Sequence, residues 1–404
     1  MLLTHLSTSS SEPTVTAQHD WSQLSIFTRS FALLVLLPTL LLVVPIEWAA
    51  WRVGATMTPG AIAQAQVRNP RLVWADDVPH YLPIKLDLIK LQQPELVFVG
   101  TSRCSQLRSA MWKPYNAFNA CTTAGTIDQT AEVVRDVLNV AHPKTIVFAI
   151  DYFMFTQVWA DSVSKNMLME RRYNGQWHIN GLLRMTELAS QYPLQLLNAI
   201  LRPAREPVDG NELIGIAAVR DKTGFRVDGS VLYPQSWKDQ ALVHNTTRTF
   251  GILSAAPGAP NMAASQIEAL GRLAELAKVH NVKLVAMVMP LLGLTVDYLD
   301  HEESYHYYSG IWREFESADT RRKMNELGLP FFNFGHFSGN WDPRNFVDSG
   351  HPSERVMLAA FLDAFKTDPE FRAAFPLLDI DTMQRDLDAA ERSGAFFDVY
   401  HDRF

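Results

Sequence analysis

The chain has 404 residues, 47% of them hydrophobic, with 36 Lys and Arg against 43 Asp and Glu. This length and apolar content are enough for one sizeable core together with an anchor and an insertion. The net charge of −7 comes without a basic stripe or a long run of like charges. That pattern argues against nucleic acid as a partner and against a polyelectrolyte tail.

An apolar, uncharged run follows an N-terminal polar tail, residues 1–29. The run SFALLVLLPTLLLVVPI begins at Ser30, and Trp48 and Trp51 stand behind it. Segment 30–51 is therefore long enough to cross a hydrocarbon core of about 30 Å, with indoles at one interface. A cleaved signal peptide would have a shorter apolar region nearer the N-terminus. We expect an uncleaved transmembrane anchor in the lipid bilayer.

Charge does not orient this anchor. Arg29 is the only Lys or Arg before the apolar run, whereas Arg52, Arg68 and Arg71 follow it. The positive-inside rule thus gives no support for a cytoplasmic N-terminus.

Strands and helices alternate after residues 52–94, a linker rich in Ala, Gln and Pro that leads into the main domain. Apolar runs predict buried strands, and apolar residues at helical spacing predict helices. The predicted strands are residues 95–100, 144–150, 282–289 and 330–334, and the predicted helices are residues 129–140, 264–279, 312–327 and 353–365. This alternation indicates an α/β fold with a mainly parallel sheet covered on both faces.

Two segments lack this regular patterning. Residues 152–260 are rich in aromatics, Arg and turn residues, and we interpret them as an irregular insertion. Its aromatics either stack on sugar rings or fill a small satellite core; they include Trp159, Trp177, Tyr192, Tyr233 and Trp237. Residues 367–404 are charged, and we expect a helical, peripheral tail.

Ser102 lies two residues past the first predicted strand, in the sequence Val-Gly-Thr-Ser-Arg. A strand-to-helix turn there would present its hydroxyl at the carboxyl edge of the sheet, where sites form in such folds. The hydroxyl needs a neighbouring base to become a nucleophile, and its own backbone N–H would donate to a developing oxyanion. Most serines at strand ends only cap helices, so Ser102 alone establishes no site.

The sequence Asp348-Ser349-Gly350-His351 stands between the fourth predicted strand and the last predicted core helix. A spacing of three lets the Asp348 carboxylate fold back on the ring nitrogen of His351 that faces away from the serine, as the acid does in a serine triad. Such a pair is frequent by chance. Because this pair and Ser102 both lie at predicted carboxyl ends of strands, together they predict a catalytic triad.

Three segments resemble the sequence blocks of the SGNH/GDSL hydrolase superfamily. VFVGTSR resembles the first block, with Thr101 in place of the usual Asp, and DSGH resembles the terminal block. FNACTTAGT resembles the second block, whose glycine N–H helps to build the oxyanion hole, which implies that role for Gly125 beside the Ser102 N–H. The resemblance implies a three-layer, flavodoxin-like SGNH fold for residues 95–366.

The third block of the family departs from its usual pattern here. It normally supplies an oxyanion-hole Asn in Gly-x-Asn-Asp, whereas this strand ends Ala-Ile-Asp-Tyr at residues 149–152. GTSR-type first blocks with a degenerate third block resemble the branch that includes the D-alanyl-lipoteichoic acid protein and the alginate O-acetylation proteins. The resemblance covers about residues 95–150 and 263–366.

That branch implies a function. Its members carry one anchor and an extracytoplasmic domain, and they work beside a membrane-bound O-acyltransferase on a cell-surface polymer. The resemblance implies an acyltransferase or esterase that acts on a polysaccharide or glycopolymer through an acyl-serine, with no metal or cofactor. It places the anchor in the cell (inner) membrane and the domain in the periplasm or outside the cell. The alternative is a non-catalytic module that binds polymer or a partner, with a vestigial triad.

Several residues near the predicted site carry open alternatives. Arg103, Asn119 and Asp151 are candidates for substrate contacts, but Arg103 also suits a surface salt bridge and Asp151 a helix cap. Cys104 and Cys121 either bridge each other in an oxidising compartment or remain two buried thiols.

Two rival interpretations fit less well. An α/β-hydrolase needs Gly-x-Ser-x-Gly, yet the second residue after Ser102 is Cys104. His301 and His306 are five residues apart and so do not share one helical face, which argues against a metal site of the His-x-x-x-His kind. We expect a solvated loop there.

Overall fold

The computed structural model describes residues 21–52, 54, 56–76, 81–167, 194, 197, 201, 206–208, 210–239, 261–301 and 306–400. Much of the predicted insertion, including Trp177 and Tyr192, lies outside the described residues. The chain divides into two units, Met1–Trp48 and Ala49–Phe404.

The N-terminal unit is helical over its described residues. Helix α1 spans Trp21–Phe31, a π-helical turn spans Ala32–Leu36, and α2 begins at Leu37 and ends at Arg52. The π turn lies just before Pro38, whose ring lacks an N–H and clashes with the preceding turn of an α-helix. Within these helices, Leu24–Pro45 is long and apolar enough to cross a membrane. The helix thus begins before the predicted segment 30–51.

Ten strands form two sheets among the described residues of the second unit. They are β1 (Leu72–Trp74), β2 (Leu96–Gly100), β3 (Ala117–Asn119), β4 (Thr145–Ala149), β5 (Glu206–Val208), β6 (Asn211–Ile214), β7 (Gly224–Phe225), β8 (Val231–Leu232), β9 (Lys283–Val288) and β10 (Phe331–Asn333).

The central sheet has the order β10-β9-β4-β2-β3, and all its pairs are parallel. The mainly parallel sheet predicted from the alternation of strands and helices is therefore confirmed. A second sheet, β5-β6-β1-β7-β8, is mixed: β1 runs parallel to β6 and antiparallel to β7. It joins the predicted linker to the predicted insertion.

Helices α3 to α14 lie in the described part of the second unit. They are α3 (Pro59–Arg68), α4 (Tyr81–Gln92), α5 (Ile127–Val140), α6 (Gln157–Met167), α7 (Ile216–Asp221), α8 (Ala264–Val279), α9 (Gly293–His301), α10 (His306–Glu316), α11 (Ala318–Glu326), α12 (Glu354–Thr367), α13 (Pro369–Ala374) and α14 (Ile380–Ser393).

Alternate residues of the central strands enter two cores, as the period of two in a strand requires. On β2, Val97 and Val99 pack into the core that contains residues of α4, α5 and α8. Leu96 and Phe98 pack into the opposite core, with residues of α12, α13 and α14. The fold is therefore mixed α/β, with helices on both faces of a parallel sheet.

Three predicted segments differ from the structure. Residues 52–94 are not only a linker, because Ile62, Leu72 and Trp74 are buried in the first core. The described part of the tail, residues 367–400, contains α13 and α14 as expected but is not peripheral. Phe371 of α13, Phe375 just after it and Leu387 of α14 lie in the second core, since such helices carry an apolar face that needs cover. The predicted helix 312–327 is two helices, which meet where Ser317 caps α11.

Candidate active site

The end of β2 turns sharply toward Ser102. Gly100 has φ +148°, and a side-chain carbon there would come 2.6 Å from Ala149 O of the neighbouring strand. Only glycine accepts both this backbone angle and this approach. Thr101 then caps a short 3₁₀ helix, Ser102–Cys104, through a 3.3 Å hydrogen bond from Arg103 N to its Oγ1. Ser102 is thus the first residue of that helix, where backbone N–H groups lack helical partners.

Ser102, His351 and Asp348 form one hydrogen-bonded line across 249 residues of sequence. Ser102 Oγ lies 2.8 Å from His351 Nε2, and His351 Nδ1 lies 2.8 Å from Asp348 Oδ2. Because a carboxylate only accepts, Nδ1 carries the ring proton and Nε2 offers its lone pair to the Ser102 hydroxyl. The structure therefore brings together the three residues of the predicted triad in the order that the chemistry needs.

The Asp348 carboxylate stays ionised. Burial alone would raise its pKa, but the adjacent His351 ring and its hydrogen bond hold the pKa well below the usual range. The backbone N–H groups of Gly350 and His351 also donate to Oδ1, at 2.9 and 3.0 Å. The carboxylate thus fixes the ring and is ready to stabilise an imidazolium.

Arg103 is buried beneath this line of residues. Its guanidinium forms an ion pair with Asp151 and donates to the carbonyls of Gly350 and Met289, both at 2.9 Å. The ion pair is buried, so the expected surface salt bridge is wrong, and Arg103 does not line the cleft beside Ser102. Its substrate contact stays a prediction. Arg103 ties the Ser102 turn to the loop that carries His351.

Asp151 and Asn119 are likewise engaged inside the protein. Asp151 accepts from Arg103 and, at 2.7 Å, from Thr101 Oγ1, and its side chain caps no helix. Asn119 donates to Cys104 O at 2.8 Å and Leu107 O at 2.9 Å. Both side chains are buried and hold the backbone of the Ser102 turn, and neither lines the cleft beside Ser102. Their substrate contacts stay a prediction.

The backbone N–H of Gly125 has a partner inside the protein. It donates to Gln129 Oε1 at 2.9 Å, in the first turn of α5. An oxyanion hole needs donors directed at the reacting carbonyl, and the Gly125 N–H is used by Gln129 in this structure. The oxyanion-hole role of Gly125 stays a prediction. The Ser102 N–H remains the predicted donor.

A disulfide joins Cys104 of the Ser102 turn to Cys121, so of the two alternatives the structure has the bridge. The same loop is held by Lys85, whose ammonium donates to Asn119 O at 3.0 Å and to Cys121 O at 2.6 Å. Burial lowers the pKa of Lys85 to about 7. No sequence pattern pointed to Lys85.

A cleft of about 950 Å³ opens above the Ser102–His351 pair. Ser105 and Thr122 line its floor, and Tyr233 and Trp237 from the predicted insertion line its wall. Tyr233 is buried, and burial raises the pKa of its phenol, whereas Trp237 is 46% exposed. The insertion thus contributes to the cleft, and Trp237 is not part of a satellite core.

Metal ligands were not predicted in this chain. Among the described residues, Asp300, Glu316 and His336 place ligand atoms within 4.8 Å of one another. His336 Nε2 already contacts Glu316 Oε2 at 2.8 Å, which is the geometry of an ion pair.

The solvated loop expected at His301 and His306 does not include His301. His301 is the last residue of α9, and the side chain of His306 lies outside the described residues.

The sequence matches no protein-family model and no curated protein.

Proposed function

We propose that this chain is a membrane-anchored, SGNH-type serine acyl-transfer enzyme that works on a polysaccharide or glycopolymer outside the cytoplasm. The observation that carries the proposal is the continuous contact from Ser102 Oγ through His351 to Asp348. It lies at the carboxyl edge of a parallel sheet, where such folds hold their sites. The sheet, with helices on both faces, agrees with the flavodoxin-like architecture that the resemblance implies.

The reaction proceeds in two balanced steps. His351 Nε2 takes the Ser102 proton while Oγ attacks an ester or thioester carbonyl, and the leaving group then departs with that proton. The acyl-serine is next attacked by a sugar hydroxyl or by water, whose proton passes to His351 and back to Ser102. Loss of one oxyanion donor costs about 3 to 4 kcal/mol in serine enzymes. Because the Gly125 N–H is bonded to Gln129 and no Asn follows β4, we expect slow hydrolysis by this chain.

The cleft supports a saccharide substrate. It is open, and the half-exposed Trp237 offers an apolar ring face on its wall. An indole with one face accessible suits the apolar face of a sugar ring. A membrane-bound O-acyltransferase is the proposed source of the acyl group.

The disulfide supports an extracytoplasmic location. Cytosolic thiols are kept reduced, whereas disulfides persist in the periplasm and outside the cell. Cys104 and Cys121 are both fully buried beside Ser102, so the bridge belongs to the folded site. With the apolar helix as anchor, the main domain then faces the periplasm or the exterior of the cell membrane.

A non-catalytic binding module remains the second candidate, because the Gly125 N–H is bonded to Gln129 and no Asn follows β4. The detergent-solubilised full chain separates the two. We expect it to release p-nitrophenol from p-nitrophenyl acetate and to pass acetyl groups to an added oligosaccharide. Ser102→Ala should lose at least about a thousandfold in rate, whereas Ser393→Ala, at the end of α14, should match the wild type.

Equal release by the wild type and Ser102→Ala would reject the enzyme and favour the binding module.

A further inference from the structure

Thr122 has an unusual backbone for its residue type. Its φ is +71°, in the left-handed region that β-branched residues rarely adopt. The neighbouring Cys121 holds it there through the disulfide and the Lys85 contact, and Thr122 N donates to Gly100 O at 3.0 Å. This conformation places Thr122 on the floor of the cleft beside Ser102 and His351. Strained residues of this kind cluster at functional sites.

The hydroxyl groups on the cleft floor have a defined direction of donation. Ser105 Oγ lies 2.5 Å from the backbone carbonyl oxygen of Ser102. Because a carbonyl oxygen only accepts, the Ser105 hydroxyl donates its single proton to that hydrogen bond. Ser105 Oγ also lies 2.8 Å from Thr122 Oγ1. Thr122 must be the donor in that second bond, because Ser105 has no further proton.

Thr122 Oγ1 therefore presents lone pairs and no proton to the cleft. Lone pairs cannot stabilise an oxyanion, which needs donors. The lone pairs of Thr122 Oγ1 can accept a hydrogen bond from a substrate hydroxyl. An ester without a hydroxyl group has no such donor.

We propose that Thr122 Oγ1 accepts a hydrogen bond from a substrate hydroxyl next to the reacting ester, so that the site selects polyhydroxylated, saccharide-like esters and acceptors over simple ones. This inference rests on the proposed acyl-transfer function and assigns to Thr122 the selection of its saccharide substrates. Trp237 and Thr122 line the same cleft and would contact the ring face and a hydroxyl of one sugar.

The test compares Thr122→Val with Thr122→Ser in the full chain. Val keeps the β-branch and removes the oxygen, whereas Ser keeps the oxygen. One substrate is a monoacetylated methyl glucoside with a free hydroxyl beside the ester, and the other is p-nitrophenyl acetate. For the glucoside, Thr122→Val should raise KM about three- to tenfold, the worth of one neutral hydrogen bond, with little change in kcat. Thr122→Ser should stay near the wild type, so the ratio of kcat/KM for the glucoside to kcat/KM for p-nitrophenyl acetate should fall in Thr122→Val only.

A substrate-side measurement covers the case in which Thr122→Val folds poorly. In the wild type, replacing the neighbouring hydroxyl by fluorine, which cannot donate, should cost the same three- to tenfold. Equal losses on both esters, or no loss for the fluorinated sugar, would overturn the inference while leaving Ser102-dependent turnover intact. Absence of Ser102-dependent turnover with either ester would instead overturn the proposed function and the inference with it.

Discussion

Arg103 is the side chain that connects the two halves of the candidate site. It follows Ser102 in sequence, yet its guanidinium contacts Gly350, next to His351, and it pairs with Asp151 at the end of β4. A buried, forked cation of this kind sets the distance between two backbone segments. In the proposed reaction Arg103 would be a positioning residue, because it contacts the segments that carry Ser102 and His351 and not the reacting atoms.

Removal of this cation leaves Asp151 buried and unpaired. Asp151 is only 2% exposed, and breaking a buried ion pair from one side costs about 3 to 5 kcal/mol. We expect Arg103→Met to lower the free energy of unfolding by that amount in urea titrations. The double variant Arg103→Met, Asp151→Asn should recover part of the loss, because no uncompensated charge remains.

An equal loss in the single and double variants would show that Arg103 stabilises the fold through its carbonyl contacts rather than through Asp151.

At the residue scale, the sequence predicted the positions of Ser102, Asp348 and His351 because each lies in a motif at a strand end. The partners of Arg103, Asn119 and Gly125 were not predictable in the same way. These three residues donate hydrogen bonds to groups that no local sequence pattern identifies. The Gly125 N–H, for example, donates to the side chain of Gln129. A sequence motif indicates which atoms are present but not which atoms already have partners.

Two segments of irregular backbone, the Ser102 turn and the loop after β3, are joined by the Cys104–Cys121 disulfide. The bridge closes a loop with a sequence separation of 17. Because both segments line the cleft floor, the bridge restricts the site as well as the unfolded chain.

Reduction should therefore destabilise the fold. A closed loop of about 15 residues is worth about 3 kcal/mol of unfolding free energy. We expect dithiothreitol to lower the urea midpoint of the wild type by a corresponding amount, as followed by tryptophan fluorescence. The variant with Cys104→Ala and Cys121→Ala should start near the reduced wild type and show no response to the reductant.

A reductant effect of the same size on the double variant would assign the change to something other than this bridge.

At the element scale, long apolar strands and amphipathic helices were predictable within a few residues. The strand predicted at 144–150 is β4, Thr145–Ala149, and the helix predicted at 264–279 is α8, Ala264–Val279. β1 and β3 have three residues each, too few for a period of two to be visible. β1 also pairs with strands more than 130 residues away, which only the tertiary fold brings together.

The candidate site is a property of the whole main domain. Ser102 follows β2 in the first half of the chain, and His351 precedes α12 near its end. Tyr233 and Trp237 of the cleft wall belong to the segment between β4 and β9. Helices α12 to α14 pack in the second core, on one face of the central sheet. Neither half of the chain contains both Ser102 and its base.

At this scale the sequence predicted the mixed α/β class, the mainly parallel sheet and the meeting of the two motifs, because parallel strands share one carboxyl edge. It did not predict the second sheet or the burial of the tail. The second sheet and the burial of the tail both depend on which apolar faces pack against each other. Those faces belong to segments that are distant in sequence, so no local pattern pairs them.

The most direct test of the account is covalent labelling of Ser102 by a fluorophosphonate, read by intact mass and peptide mapping of the folded full chain. We expect one adduct per chain, on Ser102, and none in Ser102→Ala, His351→Ala or the urea-unfolded wild type, because only a serine next to a base is nucleophilic. Ser393→Ala should label like the wild type. An adduct that persists in His351→Ala, or wild-type protein that stays unlabelled, would contradict the account.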